Sequence, residues 1–137
     1  MLHNLRFATA LHIMVLAQLE ESNQWLSSEY IASSIQINAS VVRKEIASLK
    51  AASLLISKEG KGGGIRINPN NPAIDLADIY LSTKQAEFGG KFNSPNPDCM
   101  VGKNINSRLH DLYQEVDTDI VQRLRKLYLA DFSKTFK

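Results

Sequence analysis

One cysteine, Cys99, stands in a chain of 137 residues. A single thiol excludes an intramolecular disulfide framework and any metal site built on several cysteines. Long apolar runs are missing too. The longest, Ile13 to Ala17, spans five residues, against the roughly 18–20 that a bilayer crossing needs. Thr9 and His12 interrupt the N-terminal apolar stretch, Glu20 and Glu21 close it, and no small-residue cleavage pattern follows, so it reads as a helix and not as a signal peptide. Histidine is sparse: His3, His12 and His110 are scattered, with no ligand-type partner three or four residues on, and no metal is expected. A Cys99–His110 nucleophile pair is conceivable, but no oxyanion loop or orienting residue accompanies it. No enzyme and no cofactor are expected. What the chain does have is 44% hydrophobic and 22% charged residues, enough to bury a core in about one domain. A soluble cytoplasmic protein is the baseline.

The net charge is only +2, but its distribution is uneven. Residues 1–37 carry −2, residues 38–67 carry +4, residues 68–90 carry −2 and residues 91–137 carry +2. The positive block contains Arg43, Lys44, Lys50, Lys58, Lys61 and Arg66 against Glu45 and Glu59. A local basic block in a nearly neutral chain points to an anionic partner met by one surface; a solvated face without function is the competing reading.

Leu5, Ala8, Leu11, Val15 and Leu19 step by three or four and predict a first helix, widened by Phe7, Ile13, Met14 and Leu16. Ser27 is placed to cap a second helix carrying Glu29, Ile31 and Ile35. Asn38 is placed to cap a third of about 13 residues, with Val42, Ile46 and Leu49 inward and Ser40, Arg43, Lys44, Ala47 and Lys50 outward. Leu54–Glu59 and Ile65–Asn68 read as strands around the turn Gly60-Lys61-Gly62-Gly63-Gly64. Asp75 is placed to cap a short helix holding Leu76, Ile79 and Tyr80. Gly89, Gly90, Pro95, Pro97 and Gly102 mark residues 88–103 as a hinge loop. From about Lys103 or Asn104 a long helix is predicted, its stripe Ile105, Leu109, Leu112, Val116, Ile120, Leu124 and Leu127 flanked by Tyr113, Val121 and Tyr128. So wide an apolar stripe on an appended helix calls for pairing with a second chain; intramolecular packing is the alternative.

The fold class is therefore mainly α with a small β-hairpin wing: a winged helix-turn-helix plus a long C-terminal dimerisation helix. The expected organisation is a DNA-binding unit over 1–87, a hinge over 88–103, and a pairing helix with tail over 104–137. In such a unit the second motif helix enters the major groove, where Arg binds guanine bidentately. Arg43 and Ser40 are the candidates for base edges, Lys44 and Lys50 for phosphate. The glycine run is no P-loop, because Ile65 opens a strand where a P-loop needs a helix. It gives instead a thin tip, with Lys61, Gly62 and Gly63, able to enter a minor groove. Cys99 precedes the long helix, where a helix N-terminus lowers a thiol pKa while Asp98 opposes that; it is a candidate thiol sensor or a semi-buried structural thiol.

Arg6-Phe7-Ala8, Ile31-Ala32, Val41-Val42-Arg43-Lys44 with Leu49, Leu54-Leu55-Ile56-Ser57, the glycine-rich wing and Leu76-Ala77-Asp78-Ile79 together resemble the Rrf-two family of bacterial winged-helix transcription regulators. The hinge, from Asn96 to Ile105, is similar to that of its YwnA-like branch. The resemblance implies a homodimer joined by C-terminal helices, with two wings and two reading helices on a palindromic operator in duplex DNA. Two departures qualify it. Well-known members hold a [2Fe–2S] cluster on three hinge cysteines, and this chain has only Cys99, so the cluster is not carried over. Ser53 stands where the family commonly has Gly between the third helix and the wing. The reading is a DNA-binding regulator, a repressor by expectation, with an unidentified effector. Two other classes compete with it: a winged module that docks onto a metabolic enzyme, and a thiol enzyme acting through Cys99.

Overall fold

The computed structural model describes residues 5–84 and 88–137. His3 and the expected boundary at residue 87 lie outside the described residues. Eight elements follow in order: α1 (Arg6–Leu19), α2 (Ser28–Ile35), α3 (Ala39–Ala51), β1 (Leu55–Lys58), β2 (Gly64–Ile67), α4 (Leu76–Thr83), α5 (Met100–Arg125) and α6 (Leu129–Lys134). This is a winged helix-turn-helix followed by a long helix, as the residue pattern predicts. Among the described residues no helix is long and apolar enough to cross a membrane.

The core is built around α1. Ala10, Ile13, Met14 and Ala17 are buried with Ile31 of α2, Val42, Ile46 and Leu49 of α3, and Ile79 of α4. The predicted stripe on α1 is rotated from the one observed: Leu5 and Ala8 are exposed, and Leu11 and Leu19 are only half-buried. A helix apolar on most sides gives periodicity little to choose between, and the choice here is made by which neighbours pack against it.

The caps follow the residue chemistry. Ser27 accepts a hydrogen bond from the Tyr30 N–H, and Asn38 accepts one from the Ser40 N–H. Asp75 and Asp78 form a reciprocal capping box on α4. The C-termini of α2 and α3 end less conventionally, on Gln36 and Ser53 with φ of 63° and 61°. At Ser53 the Ser53 N–H bonds the Lys50 carbonyl at 2.9 Å and the Leu54 N–H bonds the Leu49 carbonyl at 3.0 Å. That pair of bonds is a Schellman motif, and Leu49 and Leu54, both buried, supply its hydrophobic contact. Ser53 thus keeps the bend that glycine would make, at the cost of a left-handed non-glycine residue. The side-chain amides of Asn68 and Asn71 both donate to its carbonyl.

The hairpin pairs Leu55 with Ile67 and Lys58 with Gly64 in antiparallel register. Leu26 adds an isolated bridge to Ile65, with two backbone hydrogen bonds of 3.1 and 2.8 Å. Gly64 permits that approach, since a Cβ there would lie 2.1 Å from the Leu26 carbonyl oxygen.

The long helix differs from expectation at both ends. It begins at Met100, with Cys99 as its N-cap, so Gly102 is helical and not part of a hinge. A Cβ at Gly102 would meet the Asn96 carbonyl oxygen at 2.5 Å; the glycine serves close packing of the preceding loop and not freedom of the backbone. At the other end the helix stops at Arg125, and Leu127 and Tyr128 fall in the break before α6. There the Leu76 N–H donates to the Leu127 carbonyl and the Leu129 N–H to the Ile74 carbonyl. Leu129 enters the core, where α6 packs on α1.

Polar and aromatic contacts fasten α5 to the rest at several points along its length. Arg125 binds Asp75 and Asp78 at 3.1 and 2.6 Å. Midway, buried Asp117 accepts from the Tyr80 hydroxyl at 2.8 Å and pairs with Lys84. Burial opposes the charge on Asp117, but Lys84, Tyr80 and the Phe88 backbone outweigh it and hold the carboxyl below its usual range. Burial and the same carboxylate push Tyr80 up to about 12. Nearer the N-terminus, Phe88 and Phe92 pack on the Tyr113 ring.

Ser53→Gly should stabilise the protein by about 0.5–1 kcal/mol, the relief of a left-handed residue less the added freedom of the unfolded chain. Urea unfolding at unchanged m-value measures it, and a lower midpoint would show that the Ser53 side chain contributes more than the backbone strain costs.

Candidate nucleic-acid interface

Between α2 and α3 the chain turns in three residues, the left-handed Gln36, Ile37 and the cap Asn38. The Gln36 and Ile37 N–H groups both donate to the Ala32 carbonyl, which ends α2 sharply and frees the chain to start α3 at once. Burial of Val42, Ile46 and Leu49 then turns Ser40, Val41, Arg43, Lys44, Ala47 and Lys50 outward, all of them exposed.

The fourth charged residue of α3 faces the other way. Glu45 is 3% exposed. The Arg6 Nε donates to both of its carboxylate oxygens at 3.0 Å, and an Arg6 terminal nitrogen lies 2.9 Å from Oε1. The same guanidinium donates to the Ser48 hydroxyl at 3.0 Å, and its pKa is raised chiefly by the hydrogen bond to Glu45. Along the chain Glu45 falls in the basic block as a charge opposing it. In the fold it is cancelled by a cation from α1, and the outward face of α3 carries three cations and no carboxylate of its own.

Of the residues expected to touch DNA, Arg43 is the most constrained. It leans on α2, with one terminal nitrogen 3.5 Å from a Glu29 carboxylate oxygen and 3.4 Å from the Ser28 hydroxyl. Both side chains of the ion pair are largely exposed, so the pair is worth at most about 1 kcal/mol and yields readily to a stronger acceptor. The Ser40 hydroxyl donates to the Asn38 side chain at 2.8 Å, which leaves its oxygen as an acceptor. Lys44 and Lys50 are exposed.

Arg43 and Lys50 come together along one wall of a groove of about 220 Å³ whose other wall is the hairpin, with Ser57, Glu59 and Gly64. Lys61 and Gly62 are exposed at the tip. Gly63 is half-buried, and a Cβ there would lie 2.1 Å from the Lys58 carbonyl oxygen; its part is to let the tip fold tightly. Ser40, Lys44 and the tip residues lie outside this groove. Residue-level reasoning missed Ser28, Ser57 and Glu59 as neighbours of Arg43 and Lys50. No local signal in the sequence brings three separate elements to one groove. Val41, 46% exposed on the outward side of α3, was also missed; an outward apolar residue beside inward Val42 was its only trace.

Cys99 belongs to a separate place, the start of α5. Its thiol is exposed and not semi-buried, and the backbone N–H groups of Gly102 and Val101 lower its pKa. His12 bonds Ser34 at 2.9 Å, and His110 is exposed on α5.

The geometry agrees with what similar chains show. A family model described as "Iron-dependent Transcriptional regulator" and named Rrf2, the Rrf-two family, matches residues 3–135. YwnA of Bacillus subtilis, designated an HTH-type transcriptional regulator, is 35% identical over 130 residues, covering 93% of this chain and 94% of its own. A transcriptional regulator from Lactobacillus plantarum, solved as a crystal structure, superimposes with a TM-score of 0.79 at 20% identity, over 96% of this chain and 89% of that one. CymR, the global cysteine regulator of Bacillus subtilis, does so with a TM-score of 0.66 at 19% identity, over 98% of each chain. These relatives are regulators and not enzymes, and the two solved structures bear on the fold alone. The iron in the family description does not fit the residues of this chain. It has one thiol, and among the described residues no three His, Cys, Asp or Glu side chains gather to hold a metal.

Arg6→Ala should destabilise the protein by roughly 3 kcal/mol, because it strands a buried carboxylate. The double substitution with Glu45→Leu should recover most of that loss in thermal or urea unfolding; no recovery would mean that Arg6 acts through packing alone.

Proposed function

This chain belongs to the Rrf2 family of transcriptional regulators, and on that premise we propose that it is a repressor which binds a palindromic operator as a homodimer and responds to modification of Cys99. The observation that carries the reading is the one-sided charge of α3: Arg43, Lys44 and Lys50 face out beside a glycine-tipped hairpin, while Glu45 is neutralised inside. In the major groove Arg43 exchanges Glu29 for a guanine edge, and Ser40 accepts from a neighbouring base. Lys44 and Lys50 meet phosphates. Lys61, followed by Gly62 and Gly63, tracks the negative potential of the adjacent minor groove. Repression needs only that the operator be occupied, which these surfaces suffice to do.

Pairing is supported by what α5 leaves uncovered. Of its residues only Asp117 is buried. Leu112 is 50% exposed, and Met100 and Val101 are 81% and 67% exposed. A 26-residue helix with that apolar surface is covered well by an antiparallel copy of itself, which would set two reading helices on one face of the duplex. In this reading residues 1–87 read DNA, the segment from 88 to Cys99 links and α5 pairs, with α6 returning to brace α1. Cys99 sits where linker becomes pairing helix, so an adduct there acts on the spacing of the two readers.

Arg43→Ala should relax preference at one base pair per half-site, at about 1–3 kcal/mol, whereas Lys50→Ala should weaken all duplexes alike and lower the salt slope by about one. Equal, sequence-blind losses in a titration of selected and scrambled duplexes would remove Arg43 from the reading role. Leu112→Asp with Val116→Asp should turn a dimer into a folded monomer in sedimentation, because the pairing would bury unpartnered carboxylates; a wild type that sediments as a monomer at micromolar concentration contradicts the pairing. Alkylation of Cys99 should change operator affinity in the wild type and leave Cys99→Ser unaffected, and an unchanged affinity after confirmed modification makes the thiol structural.

A further inference from the structure

A cleft of about 350 Å³ opens between the C-terminal end of α1 and the hairpin. Ile65 lines both this cleft and the α3 groove, whereas Arg66 and its cross-strand partner Ile56 line only the cleft and Ser57 lines only the groove. The Arg66 guanidinium carbon sits 4.2 Å from the centre of the Trp25 ring, a cation–π contact that fixes the plane of the head group. Its Nε is buried and has no hydrogen-bond partner among the described residues. Buried donors are normally satisfied, and a charged donor left bare is costly. A guanidinium presents its N–H donors in parallel pairs, the fork that a carboxylate fits.

Glu20 supplies the other charge in the cleft lining. The Ser22 hydroxyl and N–H both donate to it and lower its pKa, so it is ionised near neutral pH. One cation and one anion leave the cleft neutral, which disfavours phosphate or a dicarboxylate and favours a ligand carrying both charges. Leu26, Ile56 and Pro69 add an apolar wall. We propose that this cleft binds a small zwitterion of the amino-acid class, its carboxylate on the Arg66 fork, its ammonium toward Glu20 and a short apolar side chain against Leu26, Ile56 and Pro69. The site shares no side chain with those proposed to touch DNA, so it stands or falls separately from the operator reading.

Trp25 is the sole tryptophan of the chain and lies under Arg66, so its fluorescence reports occupancy. The full-length protein, without DNA, is titrated with L-alanine, L-2-aminobutyrate, L-valine, butyrate and propylamine, with calorimetry as a second readout. At least one of the amino acids should give a saturable change at or below about 1 mM, and butyrate and propylamine should bind at least about tenfold more weakly. Arg66→Lys keeps the cation and loses the fork; it should weaken the amino acid at least about tenfold. Glu20→Gln, at a position that carries no core packing, should weaken the amino acid and leave butyrate unchanged. No saturable response to any amino acid up to about 10 mM, butyrate binding as tightly as L-2-aminobutyrate, or undiminished binding in both folded variants would each overturn the proposal.

Discussion

Glu45 lies on the inward side of α3, where a carboxylate is stable only because Arg6 of α1 meets both of its oxygens at 3.0 Å. Removing a charge from water costs several kcal/mol, and a pair of this kind recovers it only when the geometry is good and the remaining donors are used. Here the bond from the same guanidinium to Ser48, one turn further along α3, uses another of them. The pair therefore fixes the rotation of α3 about its own axis as well as its distance from α1. A rotation that exposed Glu45 would strand Arg6 and turn Arg43, Lys44 and Lys50 off their common face. The hydrophobic residues Val42, Ile46 and Leu49 favour the same orientation, but apolar contacts alone tolerate small rotations that this ion pair does not.

The two ends of α3 are held by backbone devices of unequal quality. Asn38 opens the helix conventionally. Gln36 just before it and Ser53 just after the helix both take left-handed backbone conformations, which an L-residue adopts at a cost of about 1–2 kcal/mol. Each persists because its neighbours determine it: the Ala32 carbonyl receives two N–H groups at the first corner, and two Asn side chains hold the Ser53 carbonyl at the second. The hairpin is thereby aimed from a fixed corner, and the Leu26–Ile65 bridge ties its base to the entry of α2. The third helix and the hairpin thus form the two walls of one groove.

The long helix is attached differently, by polar and aromatic contacts and not by deep apolar burial. Asp117 is its only buried residue, held by Tyr80 and Lys84 of α4 and its C-terminal edge. Arg125 fastens the far end to the capping box of α4, so the carboxylates that start one helix also anchor the end of another. Such fastening fixes direction while leaving apolar surface at Met100, Val101 and Leu112 for another occupant.

Much of this was legible in the residues. The order of helices and hairpin, the caps Ser27, Asn38 and Asp75, and the inward triplet of α3 followed from periodicity and from side chains that bond nearby backbone, and both are local properties. The basic face of α3 was legible for the same reason. What the sequence could not decide were matters that depend on atoms distant along the chain. Which face of an almost uniformly apolar α1 is buried depended on α2, α3, α4 and α6 packing around it. The inward turn of Glu45 depended on a residue 39 positions away. Gly102 reads as a hinge because glycine is free in isolation, but it lies within α5, where the Asn96 carbonyl leaves no room for a Cβ and so requires glycine. The break after Arg125 carried no strong local stop signal; Asp75, Leu76 and Ile74 impose it by offering bonds that a continued helix would forgo. Local chemistry determined what each segment is, and long-range packing determined which way it faces and where it stops, because a hydrogen bond or a steric limit acts through space without regard to separation along the chain.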